Sequence, residues 1–205
     1  YKGITLHRSS KVKAVGVDLA AREENDTGVC ILSRKASVKV VGRDEELVRE
    51  ISRAKPDVIA IDAPLTLPAG RCCFAENCGC KNRGMNLRVA DKQLISMGYR
   101  VFPPCFAWMK QLTLRGKKLR QIIEKKIEVI EVHPRTTLRV LGWGEADVCS
   151  YLGGKDYSRL TPQNEHEFDA IVCAITGLLY LEGKTIGVGD KGEGQIVIPK
   201  RGLLL

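Results

Sequence analysis

Aromatic side chains are scarce: four Phe, five Tyr and two Trp, 5% of 205 residues. The shortage disfavours a single-strand binder built mainly on base-stacking platforms. Long apolar runs are missing too. The longest mostly uncharged stretch, Ala170 to Leu181, falls short of the roughly 20 residues a membrane-spanning helix needs. Tyr1 to Arg8 contains no apolar leader core, so the chain reads as cytoplasmic with no membrane partner. Internal repeats and low-complexity segments are absent, which sets aside solenoids and disordered tracts. Acids are outnumbered, 24 Asp and Glu against 33 Lys and Arg, for a formal net charge of +9. That sign favours a polyanionic partner, although it also suits a merely soluble surface.

What remains is ordinary globular composition, 44% hydrophobic and 28% charged. Residues 1–205 read as a single domain, large enough to bury a core without a disulfide or metal. Residues 12–19 read as a buried strand ending at Asp18. Residues 29–32 and 37–41 give two more strands, so the first three form an antiparallel meander. Leu47, Ile51 and Ala54 recur at helical spacing over 44–54. Residues 58–62 form a strand apolar on both faces, hence central and parallel. Residues 65–106, with Pro68, Gly70, a cysteine cluster and Pro103-Pro104, read as an insertion or lid lying off the core, partly helical over 86–97. A basic helix over 109–126, a strand over 127–132 and a short helix over 136–141 follow. Then come a polar loop, a long helix over 165–181 and a tail, 195–199, read as an edge strand or extended arm.

Three of these apolar strands carry a carboxylate at or near the carboxyl end: Asp18, Asp62 and Glu131. Helices precede the second and third, as crossovers between parallel strands require. Ligands of open α/β sheets bind outside those strand ends. Acids gathered there repel one another unless a hard cation such as Mg²⁺ is shared between them. Each acid taken alone also suits a plain loop-capping role. The long helix adds Asp169, beside the core stripe Phe168, Ile171, Val172, Ile175 and Leu179, with His166 three residues earlier on the same face. Asn164 and Glu167 have capping-box spacing, which accounts for Glu167 structurally. Asp169 could likewise be only a first-turn acid favoured by the helix dipole.

Four motifs occur in order: Ala14-Val15-Gly16-Val17-Asp18-Leu19-Ala20, Ala60-Ile61-Asp62-Ala63-Pro64-Leu65, Glu131-Val132-His133-Pro134 and His166-Glu167-Phe168-Asp169-Ala170. Together with Arg88 to Gly98, Val101-Phe102-Pro103-Pro104 and Glu193 to Pro199, they resemble the family of predicted RNase H-fold nucleases, distantly similar to Holliday-junction resolvases. The similarity spans about residues 14–199. It implies an α/β fold with an RNase H-like five-stranded sheet, three strands antiparallel and two parallel, flanked by helices. In the resolvases, acids end the first and fourth strands, and a His or Asp precedes a final Asp by three residues. Asp18, Asp62, His166 and Asp169 match those positions; Glu131 matches only the predicted-nuclease family. The implied chemistry is phosphodiester hydrolysis by two Mg²⁺ or Mn²⁺ ions held by Asp18, Asp62 and Asp169, with His133 or His166 as proton shuttle.

Two features stand outside those motifs. Lys110 to Lys126 holds seven basic residues against one acid, and Leu112, Leu119, Ile122 and Ile123 give that helix a core side. Lys110, Arg115, Lys117, Lys118 and Arg120 therefore form a candidate stripe for nucleic-acid phosphates, DNA or RNA, or else a solvated face. Cys72, Cys73, Cys78 and Cys80 lack the separated CxxC pairs of a zinc ribbon, and a Zn²⁺ site, a disulfide and free thiols all stay open. The sequence reading is thus a metal-dependent nuclease. Its rivals are a phosphotransferase or ATPase of the actin-like branch, disfavoured because Asp18-Leu19-Ala20-Ala21 lacks a glycine-rich phosphate loop, and a non-catalytic nucleic-acid-binding adaptor.

Overall fold

Alternation along one strand decides the architecture. In the computed structural model, which describes residues 12–125, 127–155 and 157–203, β1 (Ala14–Asp18) is buried on both faces. The N-terminal octapeptide read above and Lys126 of the basic run lie outside the described residues. Ala14 packs to one side of the sheet, Val15 and Val17 to the other. A strand buried twice must lie inside a sheet with helices on both faces, and β1 does. It pairs antiparallel with β2 (Thr27–Leu32) and parallel with β4 (Val58–Asp62). β3 (Ser37–Val41) completes the meander. Beyond β4, β5 (Glu128–Val132) continues parallel.

The sheet has seven strands, order β3-β2-β1-β4-β5-β7-β6, rather than the five expected. The tail strand β7 (Gly194–Pro199) is not an edge; it pairs parallel with β5 and antiparallel with β6 (Thr185–Asp190), which takes the edge. β6 escaped the pattern because Gly187 and Gly189 alternate with its few apolar residues, and glycine is poor in strands.

On one face, α1 (Asp44–Ala54) and α4 (Met109–Ile123) cover Val15, Val17, Ile59 and Ile61 with Leu47, Ile51, Leu119 and Ile123. On the other lie α5 (Pro134–Leu141), α6 (Glu145–Gly154) and α7 (Glu165–Leu181). α6 occupies part of the expected polar loop; only Val148, Tyr151 and Leu152 bury, a short stripe easily missed among Gly, Ser and Asp. α7 is buried continuously from Ala170 to Leu179, so it is a central helix and not an amphipathic one.

The insertion also departs from expectation. Its α3 (Val89–Ser96) belongs to a third small core, in which Ala90, Leu94 and Tyr99 meet Val188, Ile196 and Ile198. The unforeseen β6–β7 hairpin supplies that partner surface. Glu193 in its turn accepts bonds from the amides of Ala69 and Val89, both 2.6 Å, tying the insertion down at two points.

Candidate active site

The register of the parallel strands brings the acids together. Asp18 and Asp62 are direct register partners at adjacent strand ends, so both side chains leave the same face of the sheet. That face is the one α7 covers. α7 reaches it because the seam is made of small residues. A Cβ on Gly16 would fall 2.1 Å from the Ala170 carbonyl oxygen and 2.2 Å from the Ala174 nitrogen; one on Gly28 would fall 2.0 Å from the His166 carbonyl oxygen. With backbone against backbone, the first turns of α7 bring His166 to Asp18: its Nδ1 lies 2.7 Å from Asp18 Oδ2. Asp169, one turn on, lines the same cleft as Asp18 and Asp62. Asn164 Oδ1 caps the helix by accepting from the Glu167 amide at 2.9 Å. Glu167 turns back to the Gln163 amide at 2.7 Å and stays out of the cleft.

The cleft holds about 530 Å³ and is lined also by His133, Arg135, Arg100 and Phe102. Its acids are electrostatically frustrated. Burial, then the charges of Asp18, Asp169 and Glu131, push Asp62 well above the usual carboxylate range. Burial and Asp18 raise Asp169 to about 6. Asp18 is raised by burial as well, partly offset by its bond to His166, while that same bond raises His166. Among the described residues, neither Asp62 nor Asp169 has a side-chain hydrogen bond or ion pair; Asp18 has His166 alone. His133 donates or accepts at Thr136 Oγ1, 2.7 Å away, and burial, then Arg135, drop it to about 4, so it is neutral at pH 7.

Glu131 lines this cleft too, but its side chain leaves the other face of the sheet and is already engaged. Its register partner is Ile61, not Asp62, which turns it to the opposite face of the sheet. There it meets Arg88, almost completely buried at 1% exposure. Arg88 uses all five N–H donors: two on Glu131 at 2.7 Å each, two on Asp91 at 2.8 and 3.2 Å, and one on Thr66 at 3.2 Å. Glu131 Oε2 accepts the Leu65 amide as well, at 2.8 Å. Sequence reasoning did not single out Arg88 for a role; a lone arginine in a basic insertion carries no sign of burial.

The basic helix divides similarly. Arg115, expected on the phosphate-binding stripe, is buried, bonded to Asp44 Oδ1 at 2.8 Å and to the carbonyls of Ala20, Arg22 and Gly42. Arg120 pairs with Glu124 at 2.6 Å, Lys110 with Glu76 at 3.5 Å and Lys118 with Asp44 at 3.5 Å. Lys118 still exposes 63% of its side chain, and Lys117 is half-buried. Arg135 was also missed; it stands at the cleft mouth, 75% exposed and 3.2 Å from Glu165.

Strand order, the parallel centre and the long helix over the acids define a fold of the RNase H-like type. Among solved structures, the chain is similar to Thermus thermophilus RuvC in complex with a Holliday junction substrate, at TM-score 0.51 and 14% identity, over 84% of this chain and 96% of that one. A second Thermus thermophilus RuvC structure aligns over the same shares, at TM-score 0.48 and 12% identity. No protein-family profile matches the sequence, and no curated protein does. Among the described residues, no helix is long and apolar enough to cross a membrane.

Proposed function

We propose that the protein is a divalent-metal-dependent nuclease that hydrolyses phosphodiester bonds in nucleic acid. One observation carries this reading: Asp18, Asp62 and Asp169 share a cleft with their pKa values all raised, and among the described residues neither Asp62 nor Asp169 has a hydrogen-bonded or ion-paired partner, while Asp18 has only His166. Hard oxygen donors held together against their own repulsion suit Mg²⁺ or Mn²⁺ better than any protein partner. Asp18, Asp62 and Asp169 would hold the ions, which supply Lewis acidity and an activated water when bound. The remaining roles belong to the chain. His166, its pKa raised by Asp18, keeps a proton available beside the acids. Arg135, Arg100 and Arg139 line the cleft and give its mouth the positive charge that seats a phosphate.

The test is cleavage of single-stranded, duplex and branched DNA and RNA with Mg²⁺ or Mn²⁺. The expected result is cleavage of at least one substrate, reduced at least about a hundredfold in Asp62→Asn, the size of losing one electrostatic stabiliser. A parent that cleaves none of them, and whose melting temperature ignores both metals, overturns the proposal. Nucleic-acid binding that is equal in parent and Asp62→Asn, with no cleavage by either, assigns the adaptor role instead.

A further inference from the structure

The segment 69–85 poses a physical problem. Among its described side chains only Cys80 is buried, and its one helix, α2 (Cys80–Arg83), has four residues. Such a segment has too little apolar surface and too short a helix to hold itself in one shape. Yet it is ordered by a dense set of local bonds. The Met85 amide donates to the Ala69 carbonyl at 2.8 Å, and Arg71 donates to the Met85 carbonyl at 2.9 Å and to Asn86 Oδ1 at 2.6 Å. At its centre four cysteine sulfurs converge. Cys72, Cys73, Cys78 and Cys80 place all four Sγ atoms within 4.8 Å of one another, with neighbouring separations of 3.6, 3.8 and 3.9 Å. Four thiols have no mutual attraction strong enough to gather at a surface. A tetrahedral Zn²⁺ with four thiolates at about 2.3 Å sets sulfurs about 3.8 Å apart, which is the spacing found.

We propose that these four cysteines bind one structural Zn²⁺, independent of the acidic cleft, and that the ion is the core of segment 69–85. Binding replaces four S–H bonds by four Zn–S bonds and releases the four protons to solvent, with no redox change. The adjacent pair Cys72-Cys73, awkward as ligands when read from sequence, fits because the two sulfurs reach different corners: Cys72 lies nearest Cys78, and Cys73 nearest Cys80. All four corners are sulfur, leaving no open position for water or substrate, so the site is structural. Glu76 within the loop pairs with Lys81 and reaches Lys110 at the start of α4, so the bound loop also braces that helix.

The test uses the full chain purified without chelator. Elemental analysis should find one zinc per chain, retained in Asp62→Asn and lost in Cys73→Ser and Cys78→Ser. Exchange for Co²⁺ should give the intense visible bands of a tetrahedral all-sulfur site. If the serine variants fail to fold, titrating the parent with an organomercurial should release the zinc in step with the four cluster thiols, over and above the accessible Cys149 and Cys105. Chelation should open tryptic cleavage at Arg71 and Lys81 first. Zinc absent from a parent whose four thiols react freely, zinc kept by Cys78→Ser, or iron in its place overturns the proposal. A nuclease assay that fails while zinc is present leaves this site standing and removes only the cleft's proposed activity.

Discussion

Asp62 and Glu131 sit near the ends of neighbouring parallel strands, yet they live in opposite electrostatic worlds. Glu131 has the Arg88 guanidinium in a two-bond fork and a backbone amide besides. Among the described residues Asp62 has no bonded partner, and burial first, then the charges of Asp18, Asp169 and Glu131, raise its pKa. A buried carboxylate can be kept by neutralising it within the fold, or it can be left in want of a cation. The first arrangement locks the insertion to the sheet; the second is what a metal-dependent site needs before the metal arrives. One residue of register separates them, since that offset sends the two side chains to opposite faces.

The largest effect should come from the paired side. Arg88→Met leaves Glu131 and Asp91 buried without their cation and should cost about 3–5 kcal/mol in denaturant unfolding. Replacing Asp91 and Glu131 with apolar residues in the same chain should recover most of it. The comparison breaks if Glu131→Gln is stable yet loses cleavage as severely as Asp62→Asn, for then Glu131 belongs with the proposed metal ligands.

A smaller effect of opposite sign is expected in the cleft. Asp169 moves from the ordinary 3.8 to about 6 on folding, and Asp62 moves in the same direction. The folded state therefore binds more protons than the unfolded one across that window, so this cluster's contribution falls as pH rises from about 4 through about 6 and beyond. Metal-free Asp62→Asn should melt higher than the parent at pH 7, with the difference shrinking as pH falls towards 4. Added Mg²⁺ or Mn²⁺ should narrow it by stabilising the parent. Calorimetry with and without chelator checks both signs. A variant that melts lower at pH 7 would mean that Asp62 has a partner, and the contrast with Glu131 would be lost.

The smallest effect concerns the outer face of α4. Lys117→Ala, Lys118→Ala and Arg120→Ala together should lower the salt dependence of nucleic-acid affinity by about one unit of log–log slope. Three phosphate contacts would give more, but Asp44 and Glu124 already hold two of these cations. An unchanged slope assigns the face to solubility.

Most of what positions the cleft was legible in the sequence: the antiparallel start, the parallel strands ending at Asp18 and Asp62, and the helix carrying His166 and Asp169. Apolar strands buried on both faces and crossover helices leave few arrangements. Register was not legible, because strand boundaries read from composition carry an error of a residue or more, and one residue is enough to put Glu131 on the opposite face of the sheet from Asp62. Nor was pairing between distant segments. Arg115 looks like any other cation on a basic helix until Asp44, 71 positions away, closes on it. β6 failed for a different reason: its glycines leave space for Gln195 and Ala90 and so remove the side-chain pattern by which a strand is recognised.

The glycine seam under α7 has one more consequence. At Gly16 the helix meets the strand through main-chain atoms, which do not change rotamer and do not shorten when a neighbour is substituted. The distance from sheet to helix is therefore a fixed gauge, set by peptide dimensions and insensitive to drift elsewhere in the core. Sequence change can repaint the outer helices, the hairpin and the insertion while the span across which Asp169 faces Asp18 and Asp62 stays constant. Even the smallest enlargement of that gauge, one methyl group at position 16, would have to lift the whole helix and carry its acid with it.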